Sequence, residues 1–404
     1  MSNATTNKNI LVINTGSSSV KFSLFDKALE EKASGLAENL GTSDAQLKWR
    51  DSQSTTHHQV LQDTSHQGAI LTLLAALREQ QLLEQNVSAI GHRVVHGGEF
   101  FSGSVRITPE VTEKIKACNH LAPLHNPANL LGIEILTEQF PEAVQIAVFD
   151  TAFHQSLPDY AYTYALPIKY YQSFGIRRYG FHGTSHRYVT QAAADHLQRP
   201  LKDLEFISAH LGNGCSATAV SGGISRDTTM GLTPLEGLVM GTRCGDIDPS
   251  LHQFLAEKLN TNLAEITRIF NQESGLKGLS GLSNDMRTLC EAEAKGHQDA
   301  ALAIEVFCYR LAKSIAALAV PLKRLDALIF TGGIGENAAS IRSRVIQHLS
   351  IFQFSLDEDK NNAIFGGAQG LITTGADDKP QALVIATREE WMIAKDVCEL
   401  MAQQ

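Results

Sequence analysis

The sequence predicts an α/β fold of two domains, each built on a mixed central sheet flanked by helices. Three observations carry this expectation. The chain has 404 residues, more than one hydrophobic core usually serves. A unit of strand, glycine turn and strand occurs twice, near the N-terminus and again mid-chain, which suggests two related halves. Short apolar runs alternate with longer segments whose apolar residues recur at helical spacing.

Ile10 to Ile13 is a short β-branched run that stops at Asn14-Thr15-Gly16-Ser17-Ser18-Ser19. Beyond it Val20, Phe22 and Leu24 alternate with Lys21 and Ser23, the period of a strand. Phe206 to Leu211, Gly212-Asn213-Gly214 and Cys215 to Val220 repeat that unit. Ala143 to Phe149 reads as an apolar strand ending on Asp150, and Leu325 to Phe330 as another ending on the turn Thr331 to Asn337. Carboxyl ends of strands are where α/β sheets bind ligands. Helices are expected over Ala69 to Leu83, Pro109 to Cys118, Ala300 to Val320, Ala339 to Leu349 and Glu389 to Leu400. The boundary falls near Asp150, giving domains 1–152 and 153–386, with a C-terminal helix 387–404 returning to the first.

Composition narrows the function classes. With 43% hydrophobic and 19% charged residues, the chain is globular rather than disordered or fibrous. A formal charge of −9 argues against a general nucleic-acid surface. No apolar run reaches the roughly 20 residues needed to cross a bilayer, and Met1 to Asn9 lacks the apolar core of a secretory signal. The six cysteines are scattered with no CxxC pair, so neither a disulfide scaffold nor a zinc site is expected. A cytoplasmic protein with neither membrane nor nucleic-acid partners is the expectation.

The loops carry the chemistry. Asn14 to Lys21 gathers a glycine turn, three serine hydroxyls and a lysine, a set able to wrap a phosphate. Ser17, Ser19 and Lys21 are its candidate contacts. The GxxxxGK[ST] spacing of a P-loop is absent, and an exposed polar turn is the competing reading. His210, Leu211, Gly212, Asn213 and Gly214 form a second candidate turn. Gly332 to Asn337, opening a helix, forms a third whose N–H groups suit a nucleotide. Arg93 in GHRVVHGG and Arg243 in MGTRCGD sit in glycine-flanked loops. Guanidinium forks match carboxylate and phosphoryl oxygens, although a surface ion pair is the commoner use of an arginine.

The strings NTGSSSVKF, GHRVVHGGE, LAPLHNPANL, VFDTAFH, GIRRYGFHGTSH, HLGNG, DTTMGLTPLEGLVMGTRCGDIDP, SGLSNDMR and TGGIGEN resemble acetate kinase family motifs in family order. That family lies within the sugar kinase, heat-shock protein and actin superfamily. The resemblance implies a two-domain actin-like ATPase fold with an active-site cleft between the domains and the nucleotide on the second. It also implies a homodimer, Mg²⁺ (or Mn²⁺), and ATP and acetate as substrates. Arg93 and Arg243 would hold the substrate and the transferring phosphoryl group, with His182 and Arg243 stabilising the transition state and Lys21 assisting. Val95, Leu124, Phe181 and Pro234 match the family's small apolar pocket, though core packing would explain them equally. On the nucleotide side the resemblance implies Asn284, Asp285, Met286 and Arg287, with Gly333, Ile334, Gly335 and Asn337 in the adjacent turn.

Asp150 needs a separate argument. In sugar kinases an Asp at a comparable place takes a proton from a hydroxyl, but a carboxylic acid with a pKa of roughly 4.3 is already ionised at neutral pH. Asp150 is therefore assigned to ordering Mg²⁺ through water, beside Glu389 and Asn14. Capping of the following turn is the alternative. Two departures stand out: Arg388 replaces the family's usual Asn beside Glu389, and Cys215 follows HLGNG where Gly or Ser is usual. Cys215 is either a reactive thiol near the phosphates or a buried inert one. Alternative activities are a propionate or other short-chain acyl kinase, and a nucleotide-gated, non-catalytic protein of the same fold.

Overall fold

The computed structural model describes residues 9–83, 87–123, 125–375 and 379–403. They divide into two compact units, one made of the residues up to Phe153 together with those from Arg388 onward, the other running from His154 to Thr387.

In the first unit the strands are β1 (Asn9–Thr15), β2 (Val20–Phe25), β3 (Glu31–Glu38), β4 (Gln46–Asp51), β5 (Thr56–Val60), β6 (Val87–Val94), β7 (Val105–Arg106) and β8 (Val144–Phe149). They form one sheet in the order β5-β4-β3-β2-β1-β6-β8-β7. The run β1 to β5 is an antiparallel meander, β6 and β8 add in parallel, and β7 closes the edge antiparallel. Ile10 to Ile13 is apolar without a break because β1 is covered on both faces. Leu11 and Ile13 face Leu73 and Leu74 of the helix His66–Glu79, while Ile10 and Val12 face Ile393 and Val397 of the helix Glu389–Ala402. Gly91 of β6 permits that second approach, since a Cβ there would stand 2.6 Å from Ile393 Cγ2.

The second unit repeats the topology. Its strands β9 (Glu205–Leu211), β10 (Cys215–Ser221), β11 (Ile224–Thr228), β12 (Ala327–Thr331), β13 (Gly370–Leu371) and β14 (Gln381–Val384) lie in the order β11-β10-β9-β12-β14-β13. An antiparallel meander is again followed by two parallel strands and an antiparallel edge. The duplicated hairpin in the sequence is thus the start of a duplicated sheet. Helix Gly183–His196 packs on β9 and β12, and helix Gln298–Leu318 on β10.

Helix ends follow local chemistry. The helix expected from Ala69 starts at His66, because Ser65 caps it by accepting from the Gly68 N–H, and it stops at Glu79 rather than Leu83, Gln81 taking a left-handed φ of 58°. The helix at Pro109 begins where expected, capped by Thr108.

Candidate active site

In the first unit the carboxyl ends of three adjacent parallel strands bring Asn14, Arg93 and Asp150 together. Asn14 lies on β1, Arg93 on β6, and Asp150 directly follows β8. Arg93 donates to Asp150 through Nε (2.9 Å to Oδ1) and Nη2 (2.5 Å to Oδ2), and through Nη1 to Asn14 Oδ1 at 3.1 Å. This is the fork-to-fork geometry of a strong arginine–carboxylate pair. Asp150 is buried, and its carboxylate is taken by Arg93 rather than by the turn that follows. Burial pulls the Arg93 guanidinium down, but Asp150 and the carboxylates of Glu389 and Glu390 hold it above its ordinary value. Three N–H groups are engaged, which leaves two of its five for a ligand.

Glu389 opens the C-terminal helix. Burial pushes its carboxyl up to about 7, the nearby Arg93 and Lys21 pulling down and Asp150 and Glu390 pushing up. The donors gathered here are hard oxygens: two carboxylates and an amide. They are of the kind that Mg²⁺ takes. Lys21 forms an ion pair with Glu390 at 2.7 Å, so its ammonium rests on the acidic segment and not on the serine turn. Ser17 is exposed, Ser19 half-buried, and the turn closes through Gly16 N–H to Ser19 O at 2.8 Å. Arg388 does not pair with Glu389. It is exposed and lies over the Trp391 ring, 5.8 Å from the centroid. Val95 is buried, its N–H donating to Asn129 Oδ1 at 3.0 Å, while Asn129 Nδ2 holds Thr15 O at 2.6 Å. Asn129, within LAPLHNPANL, thereby ties β1 to the loop after Arg93. Leu124 lies outside the described residues.

In the second unit Arg243 and His182 converge over Gly214. A Cβ on Gly214 would stand 3.4 Å from Arg243 Nη1 and 3.6 Å from His182 Nε2. Arg243 is half-buried, with Nη1 reaching Pro234 O at 3.3 Å and Met240 Sδ at 3.7 Å. Among the described residues it has no carboxylate partner. Burial pulls its guanidinium below the ordinary value. The loop carrying Pro234 is held by Arg178, which donates to Thr228 O at 2.8 Å and to Glu236 Oε1 at 2.6 Å. His182 sits at the entry to helix Gly183–His196 with φ 56° and leaves the helix end uncapped by its side chain. Its ring instead places Nδ1 2.9 Å from Ser216 Oγ and stacks on His210, with centroids 4.4 Å apart. His210 Nδ1 lies 2.8 Å from Ser185 Oγ. Phe181 is buried. Cys215 is fully buried, and burial pushes its thiol up to about 12, the surroundings of an inert thiol.

Beside these groups lies a cavity of about 570 Å³. Gly212 and Asn213 line it from the β9–β10 turn, Asn284 to Arg287 from one side, and Gly333, Ile334 and Asn337 from the turn after β12. Nine of the nucleotide-side expectations thus share one volume. Asn284 Nδ2 donates to Asn213 Oδ1 at 3.0 Å, joining two of the loops. Asp285 also caps helix Met286–Ala294 by accepting from the Thr288 N–H at 2.8 Å. Leu211 and Gly335 do not line it: Leu211 is packed inside β9, and Gly335 lies against Phe330 with its carbonyl accepting from Arg342. Sequence reasoning missed Cys290 and Ser340, which also line the cavity, and buried Ser208 and His186. The i, i+4 spacing of His182 and His186 was a usable signal for the last.

The family model described as the acetokinase family matches residues 9–395. An acetate kinase of Shewanella sp. (strain ANA-3) is 51% identical over 399 residues, covering 98% of this chain and 100% of that protein. One of Ectopseudomonas mendocina (strain ymp) is 53% identical over 395 residues, covering 98% and 99%. Among solved structures, a propionate kinase from Francisella tularensis subsp. tularensis SCHU S4 superposes with a TM-score of 0.91 at 46% identity, covering 96% of this chain and 98% of that one. Porphyromonas gingivalis acetate kinase gives a TM-score of 0.91 at 39% identity, covering 98% and 100%. The two-sheet architecture is the actin-like ATPase fold that the motifs implied. The chain belongs to the acetokinase family.

Proposed function

We propose that this chain transfers the γ-phosphoryl group of ATP to a carboxylate oxygen of acetate and, in reverse, makes ATP from acetyl phosphate and ADP. The observation that carries the reading is Arg243. It is a half-buried guanidinium with no carboxylate partner among the described residues, set beside His182 at the edge of a nucleotide-sized cavity. A fold that only senses nucleotide has no need of this second anion site.

In the forward direction an acetate oxygen forms its bond to Pγ in line as the bond from Pγ to the ADP oxygen breaks, with no phosphoenzyme. Arg243 and His182 donate to the equatorial phosphoryl oxygens, where charge gathers in a loose transition state. Arg93 orients the acetate carboxylate with its two remaining N–H groups, and Asp150 and Asn14 fix the plane of its fork. Lys21 leaves Glu390 to reach the phosphates. The cavity takes the adenosine, Met286 and Ile334 offering apolar surface and Asn284 and Asn337 hydrogen bonds. Asn14, Asp150 and Glu389 would hold Mg²⁺ (Mn²⁺ as substitute), partly through water, and the ion would supply charge neutralisation on the phosphate oxygens. Family membership supports a homodimer working in the cytoplasm. No helix among the described residues is long and apolar enough to cross a membrane.

Propionate is the second substrate, favoured by the Francisella relative. One methylene is worth about 1–3 kcal/mol in an apolar pocket, so propionate is expected to be poorer but real, with Val95, Leu124, Phe181 and Pro234 setting the ratio. ATP consumption with acetate, propionate and butyrate, compared by kcat/KM, tests the reading. Acetate should lead, and Arg243→Ala should cut turnover by about 10²–10³-fold in a folded protein. Silence with all three acids, or normal turnover in Arg243→Ala, overturns it.

A further inference from the structure

Behind His182 the second unit buries a row of alternating hydroxyls and imidazoles. Ser208 and His210 are i, i+2 on β9, Ser216 pairs opposite His210 on β10, and all three side chains share one face of the sheet. His186, one turn into the helix that packs on β9, inserts between the two serines. Its Nδ1 lies 2.6 Å from Ser208 Oγ and its Nε2 2.8 Å from Ser216 Oγ. Ser216 Oγ lies 2.9 Å from His182 Nδ1. Ser208, Ser216 and His186 are all fully buried.

We propose that Ser208, His186 and Ser216 form a one-way hydrogen-bond relay that fixes the tautomer of His182, so that its Nε2 carries a proton toward the transferring phosphoryl group. The proposal rests on the role given to His182 above. His186 is neutral, since burial among His154 and His210 pulls its pKa well below the ordinary value, so it carries one N–H. Each hydroxyl also carries one proton, and the whole row must then point one way. Pointing inward, His186 Nδ1–H would donate to Ser208, whose own proton would have no acceptor, because among the described residues His186 is the only partner of Ser208 Oγ. A buried hydroxyl proton left without an acceptor is costly. Pointing outward, Ser208 donates to His186 Nδ1, His186 Nε2–H donates to Ser216, and Ser216 donates to His182 Nδ1. Every proton is then placed, and the His182 proton is left on Nε2, the nitrogen that faces Gly214 and Arg243. A bare Nε2 lone pair there would repel phosphoryl oxygens. Ser208, His186 and Ser216 are positioning residues, acting through His182.

The test is long-range ¹H–¹⁵N correlation on the ¹⁵N-histidine-labelled full chain without nucleotide, which reads each imidazole tautomer directly. The wild type is expected to show His182 and His186 both as Nε2–H. Ser208→Ala, which touches neither His182 nor substrate, should give a mixture of His182 tautomers. Ser216→Ala should lower kcat about tenfold with KM for ATP and acetate within about twofold, and Ser216→Thr, which keeps a hydroxyl, should recover most of the loss. An Nδ1–H or doubly protonated His182 in the wild type at neutral pH overturns the relay. So does an unchanged tautomer in Ser208→Ala. If Ser216→Ala does not fold, the Ser208→Ala spectrum decides. Because the spectrum is read without turnover, failure of the relay and failure of the kinase reading give different results.

Discussion

Replacing Arg342 by methionine removes a charge from the interior of the second unit while keeping most of its volume. Arg342 is fully buried and, among the described residues, has no carboxylate partner. Nε donates to Asn361 Oδ1 (2.7 Å), Nη1 to the carbonyls of Gly335 (3.0 Å) and Glu336 (3.1 Å), and Nη2 to those of Asn361 (2.6 Å) and Ile364 (3.0 Å). It therefore clamps the short helix Gly332–Asn337, whose residues line the cavity, to the segment around Asn361. Two effects oppose. Stranding five buried acceptors costs about 1 kcal/mol each, the low end because most of them are carbonyls with a second lone pair, or about 5 kcal/mol. Burial has pushed the guanidinium down to about 10, so removing it relieves roughly 3 kcal/mol of charge desolvation. The loss wins by about 2 kcal/mol, which corresponds to a roughly thirtyfold larger open population of this segment. Tryptophan fluorescence is blind to it, since Trp49 and Trp391 both belong to the first unit. Hydrogen exchange resolved by peptide is the assay. Residues 332–349 and 358–366 should exchange faster in Arg342→Met, the first unit should not change, and KM for ATP should rise more than KM for acetate. Unchanged exchange at 332–337 with an unchanged KM for ATP would refute the clamp.

Three further outcomes are expected. His92 is buried against Gln145 Oε1 at 2.6 Å, and burial pulls its pKa down to about 4. The unfolded chain takes up a proton below about 6.5 while the folded one does not until about 4. Stability is thus complete above pH 6.5 and falls as pH drops toward 4, by roughly 3 kcal/mol. His92→Gln should flatten that part of the urea-midpoint profile, and an unaltered slope would contradict the assignment. Gly91→Ala would drive a methyl to 2.6 Å from Ile393 Cγ2, costing about 1–3 kcal/mol. Trp391, on the same helix, should then report a red-shifted emission, whereas a wild-type spectrum and midpoint would show that the helix yields freely. Cys215, raised to about 12 by burial, should resist alkylation in the native protein at pH 7.5 and react only on unfolding. Rapid native labelling at Cys215 would refute its burial.

The elements read best from sequence were those whose signal is local. Ile10 to Ile13 and Phe206 to Leu211 are strands because short, largely apolar runs stop at glycine turns, and the helix at Pro109 starts there because Thr108 and a proline fix its first turn. The meander β3 to β5 was not read. Its residues are largely polar and half-exposed, so the alternation that marks a strand is weak, and pairing with β2 makes it one. At the candidate site, the sequence singled out Arg93, Asp150, His182, Arg243 and the cavity-lining loops. Asn129, Arg342 and Ser208 were not, because each acts through partners distant in sequence.

The sequence alone determined the two-sheet α/β fold, the family and the list of groups able to handle a phosphoryl transfer, because these follow from local pattern and residue chemistry. Only the tertiary structure decided how those groups are spent. It put the Arg93 fork on Asp150, Lys21 on Glu390 and Cys215 out of reach of solvent, and among the described residues it left Arg243 without an acid. The physical reason is that a charge or a hydroxyl has one chemistry but many possible partners. Which partner it finds depends on which strand ends and helix turns the packed core brings within about 3 Å.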